Sequence, residues 1–126
     1  MLGSATAHAT IAVSDLDRAK KFYGDTLGLK IKDERADGIT YEDSAGGWFL
    51  VYPSQFAGTA QSTYMSFEVP NLEDSVAELR TGGIVFEEYD FPGLKTVNGI
   101  AEMQGVRGAW FKDPDGNILA LGELRR

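Results

Sequence analysis

The chain contains no cysteine, which excludes disulfides, thiolate metal sites and cysteine nucleophiles. Histidine is nearly absent as well: His8 is the single one among 126 residues. A Ser-His-Asp triad would have to be built around that imidazole, and no Gly-x-Ser-x-Gly elbow accompanies it. No apolar run approaches the ~18 residues that a membrane-spanning helix needs. The stretch Met1–Val13 lacks the basic start and long apolar core of a signal peptide, so a cytoplasmic location is expected. Positive charge is scarce, with 12 Lys and Arg against 19 Asp and Glu and a net charge of -7. Phosphate backbones are held by clustered cations, so nucleic acid is not an expected partner. No glycine-rich phosphate loop opens a helix. A soluble protein that binds a small molecule, or an enzyme working without thiol chemistry, remains.

What is present is a repeat. HATIAVSDLDRAKKF from His8 lies over YMSFEVPNLEDSVAEL from Tyr64, 56 residues on. In both, an alternating apolar segment reads as a strand with two unlike faces and runs straight into a helix start. Ser14 with Asp17, and Asn71 with Asp74, have the spacing of an N-cap and an acidic third position. The first helix offers Leu16, Ala19, Phe22 and Tyr23 to a sheet and stops near Gly28; the second offers Leu72, Val76 and Leu79 and stops at Gly82-Gly83. The ends of the halves also match: EDSAGGWFLVY from Glu42 lies over KDPDGNILALG from Lys112, 70 residues on. Each is a turn-rich segment between apolar runs, which predicts a β-hairpin. Each half therefore reads β-α-β-β-β, module one over about 5–55 and module two over about 61–124 of a single domain. The growth of the offset from 56 to 70 places about 14 extra residues in module two. Tyr89–Gly105, with Pro92, three glycines and no clean period, is where they are expected, as a lid or a surface loop. Glu87, Glu88 and Asp90 read as a solvated strand edge, and Phe22, Phe49, Phe67 and Phe111 as core.

A paired βαβββ organisation, carried by HATIAVSDLDRAKKFYGDTLGLK at one end and AWFKDPDGNILALGEL at the other, resembles the vicinal oxygen chelate superfamily of glyoxalases, bleomycin resistance proteins and ring-cleaving dioxygenases. The resemblance implies an α+β fold in which two tandem modules form a curved, cup-shaped mixed sheet with helices outside. It also implies a homodimer. Enzymes of the group hold a divalent metal with four side chains, one from the first and one from the last strand of each module, and use it as a Lewis acid. Carried onto this chain residue by residue, those positions are His8, Leu50, Tyr64 and Ala120. His8 is the only usual ligand among them. Leu and Ala offer no lone pair and a neutral Tyr is a poor ligand, so loss of the metal and no cofactor are expected.

The expected ligand-binding residues are His8, Trp48, Leu50, Tyr52, Tyr64, Glu68, Trp110 and Ala120. Aromatic rings supply apolar area and, for cations, π-faces, so the expected partner is a small organic molecule, aromatic or cationic. His8 is open to three readings: a remnant ligand, a general base, or a polar residue lining the cup. The leading functional reading is metal-free binding of a small molecule, as in relatives that sequester antibiotics. The alternative is a metal-dependent lyase, isomerase or dioxygenase in which Glu68 or Glu102 joins His8 in an unconventional ligand set.

Overall fold

A computed structural model describes residues 2–103 and 105–124, with Leu124 described by its backbone alone. The fold is α+β, with one sheet of four strands, one of six, and two α-helices among the described residues. The chain divides into two compact units, Met1–Ala57 and Gly58–Arg126.

In the first unit, β1 (Thr10–Val13) leads into α1 (Leu16–Lys20) and a π-helical continuation over Lys21–Thr26, followed by β2 (Lys30–Arg35), β3 (Gly38–Glu42) and β4 (Trp48–Pro53). The sheet order is β1-β4-β3-β2, with β1 and β4 parallel and the other pairs antiparallel. Strand alternation sorts the side chains. Ile11, Val13, Ile39, Tyr41, Phe49 and Val51 are buried, with Tyr23 of the π-helical segment packed against Tyr41 and Phe49. Phe22 is only half-buried, because the wider π-turn gives the core position to Tyr23. The helix is capped by Asp15 and not by Ser14. Asp15 has extended backbone and its carboxylate accepts from the Arg18 N–H at 3.1 Å, while the Ser14 hydroxyl accepts from the Arg18 guanidinium.

The second unit runs β5 (Thr63–Glu68), α2 (Leu72–Thr81), β6 (Asp90–Phe91), β7 (Leu94–Val97), β8 (Ile100–Met103), β9 (Val106–Lys112) and β10 (Ile118–Leu124). Its order is β5-β10-β9-β8-β7-β6, again with a parallel pair, β5 with β10. The Asn71 side chain caps α2 by accepting from the Asp74 N–H at 3.0 Å. Phe111, Leu119, Leu121 and Ala109 are buried on the face that α2 covers, while Phe67 is half-buried. The Tyr89–Gly105 stretch is neither lid nor loop: it supplies β8, which holds the place that β2 has in the first unit, and β6 and β7, which widen the sheet by antiparallel pairing. Asn98-Gly99 makes the β7–β8 turn, both residues at positive φ, which a two-residue hairpin requires. Short strands of two to four residues leave too little alternation to see in sequence.

The two offsets of the repeat recur in the hydrogen-bonded register. Thr10 pairs with Leu50, Ile11 with Val51 and Ala12 with Tyr52; in the second unit Ser66 pairs with Ala120, Phe67 with Leu121 and Glu68 with Gly122. The hairpin turns repeat as well. Asp43 Oδ1 accepts from the Ala45 and Gly47 N–H groups, and Asp113 Oδ1 accepts from those of Asp115 and Asn117.

Candidate functional site

The parallel pairing of β1 with β4 sets His8 level with Trp48. The imidazole stacks on the indole with centroids 3.6 Å apart and planes at 15°. Nδ1 lies 2.7 Å from the Trp48 carbonyl oxygen; a carbonyl only accepts, so Nδ1 carries a proton and donates. In the neutral ring this leaves Nε2 as an acceptor. Trp48, Leu50 and Tyr52 alternate with buried Phe49 and Val51, and so stand half-buried on the sheet face away from α1.

The second unit presents the equivalent face with different chemistry. Trp110 pairs with Ala120, and Ala120 with Ser66. Tyr64 sits at a β-bulge, where its hydroxyl accepts from the Ala60 N–H at 3.3 Å. Glu68 is exposed at the end of β5. Around Trp110 an aromatic cluster forms that sequence reasoning saw only in part. Tyr89 meets the Trp110 ring edge-to-face at 5.7 Å and stacks on Phe91 at 5.7 Å. Such geometries hold rings rigidly and leave their faces available. Tyr89 and Phe91 are two apart with opposed Glu88 and Asp90 between and beside them, a period-two signal hidden in an acidic run.

These rings line an open cavity of 640 Å³, together with the Gly58–Thr63 segment, Leu94, Ile118, and the pair Glu87 and Lys112. Glu87 is not a free edge carboxylate: its carboxylate lies 3.5 Å from Lys112 Nζ. Glu88 likewise accepts from the Thr96 hydroxyl at 2.5 Å and the Gly99 N–H at 2.9 Å, and these bonds hold its carboxyl below the usual range. Burial, reinforced by Glu87, raises the Tyr89 phenol, so it stays a neutral donor and acceptor at neutral pH. The Gly58–Thr63 wall is tied down at Gly58, whose N–H donates to Asn117 Oδ1 at 3.0 Å. Gly58 has φ +70, and a Cβ there would collide with the Asp115 carbonyl.

The chain matches a family model over residues 5–121, that of the glyoxalase/bleomycin resistance protein/dioxygenase superfamily. The chain belongs to that superfamily. Solved structures of the same fold include UcmS2, at 19% identity and TM-score 0.75, over 94% of this chain and 97% of that one. The fosfomycin resistance protein FosX from Listeria monocytogenes is similar at 16% identity and TM-score 0.69, over 97% and 94%. TnmS3, an antibiotic binding protein from Streptomyces sp. CB03234, is similar at 19% identity and TM-score 0.66, over 96% and 98%. At these identities the likeness is one of fold. No curated protein sequence matches the chain significantly.

Metalloenzymes of the superfamily give the positions of His8, Leu50, Tyr64 and Ala120 to a divalent ion. The donor set here does not fit one. Leu50 and Ala120 carry no donor atom, and the Tyr64 hydroxyl is engaged by the Ala60 N–H. Among the described residues no three His, Asp or Glu side chains gather where they would hold a metal ion. One imidazole does not retain a divalent ion against water. The same residues also argue against the alternative in which Glu102 joins His8. Glu102 lies 3.5 Å from the Arg107 guanidinium, on the α2 side of its sheet.

Proposed function

We propose that this superfamily member is a binding protein that holds a small aromatic organic molecule, without a metal, against Trp110, Tyr89 and Phe91. The observation that carries this reading is the cavity of 640 Å³ built on three interlocked rings. Its size is in the range of small-molecule sites, which are lined by aromatic and apolar groups with a few polar anchors. The anchors here are Glu87, Lys112 and the backbone of the Gly58–Thr63 segment. The aromatic faces favour a ligand carrying a cationic group, and the net charge of -7 favours its approach. Antibiotic binding by TnmS3 and fosfomycin resistance by FosX support this class of function by family relationship. On the first unit, His8 and Trp48 supply a second patch, with Nε2 as a hydrogen-bond acceptor. The proposal extends to a homodimer, as the superfamily resemblance implies, and to a cytoplasmic location, on the character of Met1–Val13.

Calorimetric titration with Ni, Zn, Mn and Fe ions tests the metal-free part. The expected result is no stoichiometric tight site; a micromolar 1:1 site would overturn it. Sedimentation tests the dimer, and a ~14 kDa species at high concentration contradicts it, that mass following from the chain length.

A further inference from the structure

A second cavity lies on the opposite side of the second unit's sheet, between α2 and the β7–β8 hairpin. It has a volume of 730 Å³. Its apolar wall is Val76 and Ala77 of α2 with Val97 and Ile100 of the hairpin, and its charges are Arg80, Lys95 and Arg107 against Glu73 and Glu102. The two carboxylates are not available to a ligand. Arg107 bonds Glu73 directly and lies 3.5 Å from Glu102 and 3.2 Å from Glu123. That leaves Arg80 and Lys95 as the cations facing the groove.

Arg80 is set in place rather than loose. Its guanidinium donates to the Asn98 carbonyl at 2.8 Å and lies over the Phe86 ring at 5.5 Å. One Nη is used by Asn98, and the residue lines the groove. Among the described residues Lys95 has no carboxylate within ion-pair distance. A guanidinium fixed by packing loses little entropy when it binds a carboxylate in its planar fork.

We propose that this groove is a binding site for a small organic monoanion, a carboxylate with a short aliphatic tail. The head is held by Arg80 and Lys95, and the tail lies on Val76, Ala77, Val97 and Ile100. Glu73, Glu102 and Glu123 share Arg107, so the head meets Arg80 and Lys95, the latter exposed and opposite Asp90 in the β6–β7 pair. β7, one strand of the hairpin that forms one wall, is one of the two strands by which the second unit's sheet exceeds the first's.

The test is amide chemical-shift titration of the whole protein with hexanoate and with its neutral counterpart, hexanamide. Hexanoate is expected to shift the amides of residues 76–80 and 95–100 saturably, and hexanamide to bind at least tenfold more weakly. Lys95→Gln, at an exposed site that leaves the turn intact, is expected to weaken hexanoate at least fivefold. Arg80→Gln is expected to weaken it further, and Trp110→Ala to leave it unchanged. Equal binding of the two probes, unmoved amides in this groove, or full affinity in Lys95→Gln would each overturn the proposal. None of these outcomes bears on the Trp110 cavity.

Discussion

The two repeat-related hairpin turns make opposite predictions for the same substitution. Asp113 is 4% exposed and Asn117 is fully buried. The Asp113 carboxylate accepts from the N–H groups of Asp115 and Asn117, each at 2.9 Å, and from Asn117 Nδ2 at 2.8 Å. Asp113→Ala would orphan two buried donors on Asn117 and one partly buried donor on Asp115. At about 1–3 kcal/mol for each of the two buried donors left without a partner, the loss is about 2–6 kcal/mol. Asp43 in the first unit accepts from Ala45 and Gly47 in the same pattern, but it is exposed and water replaces it. Asp43→Ala is therefore expected to cost about 0.5–1 kcal/mol. Urea denaturation followed by circular dichroism reads both, the midpoint shifting at constant slope. Equal costs for the two variants would refute the argument that burial, and not the turn sequence, sets the energy. Because Asn117 Oδ1 also holds Gly58, Asp113→Ala should loosen a wall of the Trp110 cavity and weaken ligand binding as well.

Gly99→Ala and Gly93→Ala separate backbone strain from crowding. Both glycines have positive φ, +81 and +86, but a Cβ on Gly99 would sit 3.0 Å from Phe86 Cβ and from Arg80, whereas Gly93 is open. About 1 kcal/mol is expected for Gly93→Ala and about 2–3 kcal/mol for Gly99→Ala, read as thermal midpoints; equal shifts would contradict the crowding. The Glu88 carboxyl is lowered by the Thr96 hydroxyl and then by the Gly99 N–H. Its contribution to stability is therefore present above the ordinary carboxylate range and is lost as pH falls through the lower folded value. Glu88→Gln should be less stable than the parent protein at pH 7, and the difference should shrink below about pH 4. A difference independent of pH would refute the link.

Much of the architecture was legible in the sequence because long-range repetition records it. The Thr10 to Ser66 spacing and the Leu50 to Ala120 spacing carry directly into strand register, and Asp113-Pro114-Asp115-Gly116 into a turn. Local signals were weaker. Ser14 and Asp15 are both good caps, and only the backbone angles assign the role to Asp15. Strands β6 to β8 are too short for period-two alternation to stand out from a glycine-rich stretch. Glu87, Glu88 and Asp90 looked like one solvated acidic run, yet Glu87 meets Lys112 and Glu88 meets Thr96 and Gly99, partners set by pairing across the sheet. The same pairing brings Tyr89 to Trp110, so the aromatic cavity depends on contacts 21 residues apart that no local pattern encodes.

The most direct test of metal-free binding at the Trp110 cavity uses the chain's two tryptophans as separate reporters. In Trp48→Phe the remaining indole is Trp110, and in Trp110→Phe it is Trp48. Titration with a panel of planar aromatic amines, with EDTA present throughout, should give saturable quenching of Trp110 fluorescence by at least one member. Tyr89→Ala, which removes the edge-to-face neighbour of Trp110, should weaken that binding about 30-fold, corresponding to about 2 kcal/mol for an aromatic anchor. Saturable quenching that appears only after a divalent metal is added, or only at Trp48, would contradict the account.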